Sequence, residues 1–337
     1  MTWRYLKMIS GPIKMKKNDY INIGKEVIDL QIKALKKLKY SLNDDFKNAI
    51  NIISKCKSKV IVIGVGKSGL IASKIASTLS SVGTPSFSII ASECSHGDLG
   101  KIDNNDILIL ISNSGNSIEL KNIIQYANRY KITLICIVSK KNSLLYKNSD
   151  IRLIIPISKE AGFGLVPTAS TSAQLALGDA LAIAVMKFKK FSQLDFKKFH
   201  PGGNLGNKLK TVEDLMHTKK EIPFVNQNLT LKEAIKVLNK KKLGLLVVQN
   251  NKKVTTGVLT DGDLKRIFKN RIDVEKNLIK KFMSKNPIKV EKNTLAAKAL
   301  NLMNEYKITS LCVFKKNDIK KTIGVIHMHD ILSSKIN

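Results

Sequence analysis

The feature that most constrains this chain is an alternation of short apolar runs with helix-like segments between residues 60 and 155. Segments 68–81 and 118–130, which lie between such runs, have the residue spacing of helices. Apolar strands that alternate with helices are typical of a parallel sheet covered on both faces. We therefore predict an α/β fold, a doubly wound parallel sheet with flavodoxin-like layers. The predicted strands are 60–64, 86–90, 107–111, 132–138 and 151–155.

Two longer helical segments flank this region. Residues 23–40 carry apolar residues at helical spacing, and residues 170–188 form an apolar segment rich in Ala and Leu that is continuous enough to be buried. Residues 1–22 read as a loose polar lead-in, so the first 50 residues are expected to hold one long helix and little more.

The chain after Gly206 contains an internal repeat. Asp214-Leu215-Met216 aligns with Lys281-Phe282-Met283, and Gly257-Val258 aligns with Gly324-Val325, both at an offset of 67 residues. A repeat of this length predicts two copies of one small α/β module. We expect a first domain over residues 23–209 and modules over 210–273 and 274–337.

The amino-acid composition limits the classes of function that this chain can have. The net charge of +32 arises almost wholly from lysine, with only five arginines among 58 basic residues, and the lysines are spread along the chain. Arginine is the better residue for specific phosphate and base contacts, so we expect only salt-sensitive, non-specific polyanion binding. No apolar leader or long apolar span stands out, and the four cysteines are widely spaced. A reduced, cytoplasmic protein without a membrane partner is expected.

The first motif is the glycine loop, residues 64–69, which follows a predicted strand and opens a helix. Its glycines allow the backbone to approach an anion, and the helix N-terminus favours negative charge. The pattern fits a dinucleotide site, with Glu93 as the ribose-binding acid, and it equally fits a tight strand–helix turn.

The second motif is the serine loop, residues 112–117, which also follows a strand and opens a helix. Hydroxyls and free N–H groups at such a place suit a phosphate monoester, although simple helix capping explains them too. Ligands of open α/β sheets bind outside the carboxyl ends of the strands. Two such loops therefore favour a phosphorylated substrate over a nicotinamide cofactor.

With these loops in view, the chain resembles a known family. Residues 23–209 resemble a SIS (sugar isomerase) domain, and the likeness extends to the arabinose-5-phosphate isomerases. The tail from Thr211 resembles a tandem pair of CBS modules, most clearly at residues 257–264. The other motifs that carry the resemblance are Ser95-His96-Gly97-Asp98-Leu99-Gly100, Pro167-Thr168-Ala169-Ser170-Thr171-Ser172, Gly178-Asp179-Ala180-Leu181 and His200-Pro201-Gly202-Gly203-Asn204-Leu205-Gly206.

The resemblance implies interconversion of D-ribulose 5-phosphate and D-arabinose 5-phosphate through an enediol(ate), which supplies Kdo and lipopolysaccharide synthesis. It implies a homotetramer that needs no cofactor. The implied catalytic residues are Lys67, Glu119, Glu160 and His200. The base at C1 and C2 stays open among the last three. The implied substrate-binding residues are Gly66, Ser68, His96, Ser112, Ser114, Ser117 and Thr168. Zinc at His96 is a hypothesis for inhibition.

The sequence departs from the family pattern in three places. Residues 161–166 form a segment one residue shorter than usual and lack its Cys-Pro, and Asn116 stands where Glu is frequent. In the repeats, Thr260 and Asp263 fit a nucleotide-binding CBS module, and the second module keeps Asp330 but has His327 where Ser or Thr is usual. Nucleotide binding at the CBS pair is thus an open expectation.

Other functions stay as alternatives. The main one is a non-catalytic SIS-type sugar-phosphate sensor, which would carry an N-terminal helix-turn-helix. An isomerase of heptose or hexulose phosphates is disfavoured by the turn at His200 and by the CBS tail.

Overall fold

The computed structural model describes residues 17–200, 202–241 and 243–334, with the backbone alone at positions 17, 18 and 203–205. The chain divides into two units, one ending at Phe196 and the other beginning at Lys197. Most of the polar lead-in predicted for residues 1–22 lies outside the described residues.

The first unit is built on a five-stranded parallel sheet with the strand order β2-β1-β3-β4-β5. This order is that of flavodoxin-like doubly wound folds, so the predicted fold class is confirmed. The strands are β1 (Val60–Gly64), β2 (Ser86–Ile90), β3 (Ile107–Ile111), β4 (Thr133–Val138) and β5 (Ile151–Ile154).

Nine helices accompany these strands over residues 17–199, the last of them crossing the division between the units. They are α1 (Lys17–Ser41), α2 (Asp44–Lys55), α3 (Lys67–Ser81), α4 (Ala91–Cys94), α5 (Glu119–Arg129), α6 (Leu144–Lys147), α7 (Gly162–Leu165), α8 (Ala169–Phe188) and α9 (Gln193–Phe199).

The sheet has a hydrophobic core on each face, and β3 shows why. Ile107, Ile109 and Ile111 belong to the core shared with α2, α3 and α8, whereas Leu108 and Leu110 belong to the core shared with α5. Successive side chains of a strand point to opposite faces, so a strand buried on both faces must be apolar throughout.

The start of the chain differs from the prediction. Helix α1 begins at Lys17 rather than at residue 23, and a second helix, α2, follows it. The Asn43 side chain accepts the Asp45 N–H at 3.1 Å and caps α2, while Ala49 and Ile53 are fully buried. Phe46, Ile50 and the buried pair form one face of α2, which packs in the core that α2 shares with α8.

Helix α8 lies in the core of the first unit. Its length and composition would suit a membrane span, but its residues Ala173, Leu177, Leu181 and Val185 are buried in the same core as α3 and β1. The predicted buried helix is thereby confirmed, and its apolar character is explained by packing.

The second unit contains two four-stranded sheets, ordered β10-β9-β8-β7 and β11-β12-β13-β6. The helices are α10 (Gly203–Lys208), α11 (Val212–Leu215), α12 (Leu231–Lys241), α13 (Asp261–Lys269), α14 (Ala296–Glu305) and α15 (Met328–Ser333). The strands are β6 (His217–Thr218), β7 (Phe224–Asn226), β8 (Leu245–Gln249), β9 (Thr255–Thr260), β10 (Ser284–Lys285), β11 (Lys289–Glu291), β12 (Ser310–Phe314) and β13 (Gly324–His327).

The two modules exchange their first segments. Strand β6 precedes the first module's other strands yet pairs with β13 of the second, and β10 pairs with β9 of the first. The core follows the same exchange, because Val212 packs with the second module and Ile279 with the first. Each sheet therefore contains one strand from the other side of the predicted module boundary, which lies between residues 273 and 274.

Close approaches between repeat-related positions explain the repeated glycines. A Cβ atom at Gly257 would lie 2.8 Å from Met283 Sδ, and one at Gly324 would clash with Met216 Sδ and lie 3.1 Å from the carbonyl oxygen of His217. Thr255 and Thr322, which are also 67 residues apart, share a buried hydrogen bond of 2.9 Å between their hydroxyls. The residues by which the two repeats align are thus also residues through which the two modules contact each other.

Candidate active site

The site lies at the carboxyl ends of β1 and β3, which are adjacent in the sheet. Helix α3 leaves β1 for one face of the sheet and α5 leaves β3 for the other, as their separate cores show. The strand order therefore reverses between β1 and β3, and such a switch point leaves a crevice in which α/β proteins bind ligands.

The glycine loop supplies a cation and a hydroxyl. Gly66 has φ +56° and ψ −123°, a conformation that residues with a side chain rarely adopt. This turn starts α3 at Lys67, whose side chain is exposed, and half-buried Ser68 follows. The Ser68 hydroxyl donates to Gln174 Oε1 at 3.1 Å, which ties the loop to α8.

The serine loop is organised largely by its own side chains. The buried Ser112 hydroxyl accepts the Gly115 N–H at 3.0 Å and lies 3.1 Å from the Ser117 hydroxyl. Ser114 is exposed, and its hydroxyl accepts the Asn116 N–H at 3.4 Å. Asn116 Oδ1 in turn accepts the Leu144 N–H at 2.8 Å, so this departure from the family pattern serves the start of α6.

Glu160 lies at the N-terminus of α8, where its carboxylate takes the place of a capping group. Oε2 accepts the backbone N–H groups of Thr168 at 2.7 Å and Ala169 at 2.8 Å, and Oε1 accepts that of Ser170 at 3.2 Å. The Thr168 hydroxyl also donates to Oε2 at 3.0 Å. The first N–H groups of a helix have no partner within it, so a carboxylate here is strongly favoured.

These contacts set the ionisation of Glu160. Burial raises the pKa of its carboxyl, but hydrogen bonds from Ser170, Thr168 and Ala169 outweigh burial and hold the pKa below its ordinary value. Glu160 is accordingly a carboxylate at neutral pH.

The loops enclose one cavity of about 340 Å³ within the first unit. Its polar wall is formed by Lys67, Ser68, Asn113, Glu160, Ser170, Thr171 and Gln174. Gly164 and Leu165 of the shortened 161–166 segment close one side. The structure thus brings Lys67, Ser68 and Glu160 together, as the sequence predicts.

Several predicted residues of the first unit do not line this cavity, among them Gly66, Ser112, Ser114, Ser117 and Thr168. Glu119 is half-buried and begins α5, outside the lining of the cavity, and His96 is exposed in the turn after α4. His200 follows α9 and belongs to the second unit; Pro201, next to it, is not described.

The comparisons with known proteins agree with this geometry. The SIS domain model matches residues 52–184, and the CBS domain model matches residues 212–270 and 279–337. Arabinose 5-phosphate isomerase KdsD of Yersinia pestis is 43% identical over 94% of this chain and 97% of its own length. The Escherichia coli K12 protein of the same name is 41% identical over the same shares.

The chain belongs to the arabinose 5-phosphate isomerase family. A protein of E. coli CFT073 solved in complex with arabinose 5-phosphate has a TM-score of 0.54 and 38% identity, and the match covers 56% of this chain and all of that one. The predicted family and the predicted enzyme class are confirmed.

In this isomerase family member, four polar residues that line the cavity are not among the predicted site residues, namely Asn113, Ser170, Thr171 and Gln174. Asn113 lies within the serine loop, but its neighbours carried the hydroxyls that drew attention. Gln174 is the one Gln of α8 and lies between the apolar residues Ala173 and Leu175, and that contrast is the signal by which it could have been found.

A zinc site at His96 gains no support from the surrounding side chains. The described residues contain no group of three His, Cys, Asp or Glu placed to hold a metal ion. Burial also raises the pKa of the nearby Cys94 thiol to about 11, so Cys94 does not offer a thiolate at neutral pH.

The CBS pair of this isomerase has a second, larger cavity of about 490 Å³, lined among others by Thr260, Asp263, Arg266 and Lys307. Asp263 is buried and accepts the Thr260 N–H and hydroxyl, both at 2.8 Å, as a capping box of α13. Its repeat equivalent Asp330 likewise accepts the His327 N–H at 3.2 Å in a capping box of α15, and it also lies 3.1 Å from His217 Nε2.

Proposed function

We propose that this chain interconverts D-ribulose 5-phosphate and D-arabinose 5-phosphate in the cavity between β1 and β3. The observation that carries the proposal is the convergence of Lys67 and Glu160 on one cavity at the switch point, in a chain similar to arabinose 5-phosphate isomerases over almost its whole length. The structure of the E. coli CFT073 relative with arabinose 5-phosphate supports the substrate.

The reaction moves a proton between C1 and C2 of an open-chain sugar through an enediol(ate). It requires a base, a group that stabilises the oxyanion, and an anchor for the phosphate, but no cofactor. In our proposal Lys67 stabilises the enediolate oxygen. Ser68 and the serine loop hold the phosphate by hydroxyl and backbone N–H groups.

The acid–base roles follow from ionisation. A carboxylate whose pKa is held low is a poor proton acceptor at neutral pH, because the best general bases have a pKa near the working pH. Glu160 therefore serves in this proposal as a fixed negative charge that orders the start of α8. Proton transfer between C1 and C2 falls to Glu119 or His200.

The wider role follows the family. We place the protein in the cytoplasm, where its product enters Kdo and lipopolysaccharide synthesis; its four cysteines are all free, which suits a reducing compartment. Exposed apolar side chains on the first unit, among them Leu70, Ile118 and Leu165, support a homotetramer. A monomeric mass by light scattering at micromolar concentration would contradict it.

The CBS cavity is a candidate nucleotide site. Arg266 and Lys307 offer positive charge, Thr260 and Asp263 offer polar contacts, and Val258 and Ile308 offer apolar surface. Asp330 is a weaker candidate, because it is not among the residues that line this cavity.

The test is conversion of ribulose 5-phosphate by the purified protein, followed by NMR in D₂O. Arabinose 5-phosphate is expected from the wild type and from the surface variants K121A and E93Q, while K67A, E160Q and H200A should lose activity. The variant that lacks the base, E119Q or H200A, should also fail to incorporate deuterium at C1 or C2. A folded tetramer that binds sugar phosphate without turnover would favour the sensor alternative.

A further inference from the structure

The inference starts from a buried amide without a full set of partners. Gln174 has no exposed surface, and it lies in α8 between the buried core residues Ala173 and Leu177. Its Oε1 accepts the Ser68 hydroxyl at 3.1 Å, whereas its Nε2 has no hydrogen-bond partner among the described residues. Nε2 is the one buried side-chain nitrogen or oxygen in that part of the chain left in this condition.

An unpaired buried donor costs folding free energy that an apolar side chain would not. Met has nearly the length of Gln and would fill the same space between apolar neighbours. A glutamine at such a place is therefore explained best by a task other than stability.

The place of Gln174 indicates the task. Its side chain lines the cavity beside Ser68, and Lys67 and Glu160 line the same cavity. Gln174 is one turn beyond Ser170, whose N–H binds Glu160. The start of α8 thus holds Glu160, and its next turn holds Ser68.

We propose that Gln174 is a positioning residue for the sugar phosphate and acts through the Ser68 hydroxyl. This inference rests on the proposed isomerase function. In this structure, the single hydroxyl proton of Ser68 goes to Gln174 Oε1. When a phosphorylated sugar enters, that proton turns to an oxygen of the ligand, and the amide rotates so that Nε2 donates to Ser68 Oγ.

The exchange leaves one hydrogen bond between Ser68 and Gln174 and reverses its direction. A hydroxyl has one proton to donate and two lone pairs to accept with, so Ser68 can bind the ligand and Gln174 at once only if Gln174 becomes the donor. Nε2 then gains its missing partner. The carbonyl oxygen left over is the group whose incomplete pairing is more often tolerated in protein interiors.

The test compares Q174M, S68A and the double variant with the wild type, and uses exposed Gln125 changed to Met as the control. Q174M is expected to melt about 2–4 °C higher than the wild type, because the unpaired donor is gone. Its KM for ribulose 5-phosphate should rise about tenfold with kcat nearly unchanged. Q125M should change neither quantity.

The double variant decides whether Gln174 acts through Ser68. We expect KM to rise about tenfold in Q174M/S68A, as in either single variant, rather than the roughly hundredfold of two independent losses. Additive effects would overturn the proposal, and so would a Q174M protein with lower melting temperature and unchanged KM.

A failure of the isomerase function would be seen separately, as a wild type without turnover. Calorimetry with arabinose 5-phosphate then tests Gln174 alone. Weaker binding by Q174M supports the positioning role, and equal binding by Q174M and the wild type overturns it.

Discussion

Glu160 lies in the cavity wall and also accepts the first backbone N–H groups of α8, so one carboxylate joins the site to a core helix. Its folded-state pKa is lowered from an ordinary value of 4.5. A lowered pKa means that the carboxylate stabilises the fold above the unfolded-state pKa, and that this contribution is lost as pH falls through the folded-state value.

Replacing Glu160 with Gln should therefore loosen the start of α8. The amide has one oxygen for the N–H groups that two carboxylate oxygens now accept, so the local free energy of opening should fall by about 1–3 kcal/mol. Hydrogen exchange of the peptide spanning residues 161–175 measures it. The wild type should lose protection as pH falls below about 4.5, whereas E160Q should show little further change.

The matched control is E93Q, which changes an exposed glutamate in the same unit. Equal protection of residues 161–175 in E160Q and the wild type at neutral pH would show that the carboxylate does not cap α8.

At the scale of the elements, the repeat-related glycines are the positions where a single added Cβ atom would disturb the contact between neighbouring segments. A Cβ atom at Gly257 would lie 2.7 Å from the carbonyl oxygen of Ser284 and 2.8 Å from Met283 Sδ. The methionine can move, but the carbonyl belongs to β10, whose pairing with β9 would have to shift.

Changing Gly257 to Ala should destabilise the second unit by about 1–3 kcal/mol, because overpacking at a strand pair forces the backbone apart. Urea unfolding of the full chain measures the loss. G262A is the control, since a Cβ atom there comes no closer than 3.6 Å to Thr260 Oγ1, and it should be nearly neutral. Equal stability of G257A and G262A would contradict the close approach.

At the scale of the whole molecule, the exchanged segments make the two CBS modules one folding unit. Each module's core includes a residue from the other's first segment, Val212 in one case and Ile279 in the other. Neither module can bury its core with its own residues alone.

We expect residues 197–337 to fold cooperatively as an isolated protein and residues 210–273 to remain unfolded. The shorter piece lacks Ile279 and β10, which complete its core and its sheet. Circular dichroism and the dispersion of amide NMR signals distinguish the two results. A dispersed spectrum from residues 210–273 would show that the exchange is not needed for folding.

The sequence by itself determined the five parallel strands and most helix positions, because these depend on local patterns. A strand buried on both faces is apolar at every residue, as β1 and β3 are, and a helix beside it shows a different period. The loops at Gly66 and Ser112 were predicted for the same reason, since each directly follows such a strand. Helix α2 was missed although its sequence carries the signal, since Phe46, Ala49 and Ile53 have helical spacing and Asn43 caps the start.

Only the tertiary structure decided which distant residues meet. Strands β6 and β10 have two residues each, which is too short to show an alternation of apolar and polar side chains. Their exchange between modules therefore appears only in the assembled sheets. The hydrogen bond from Ser68 to Gln174 likewise joins segments 106 residues apart in the chain, whereas Glu160 caps α8 across only eight to ten residues. The local sequence pattern shows which face of a helix or strand is buried. Which residues from distant segments contact each other is set by the packing of the whole fold.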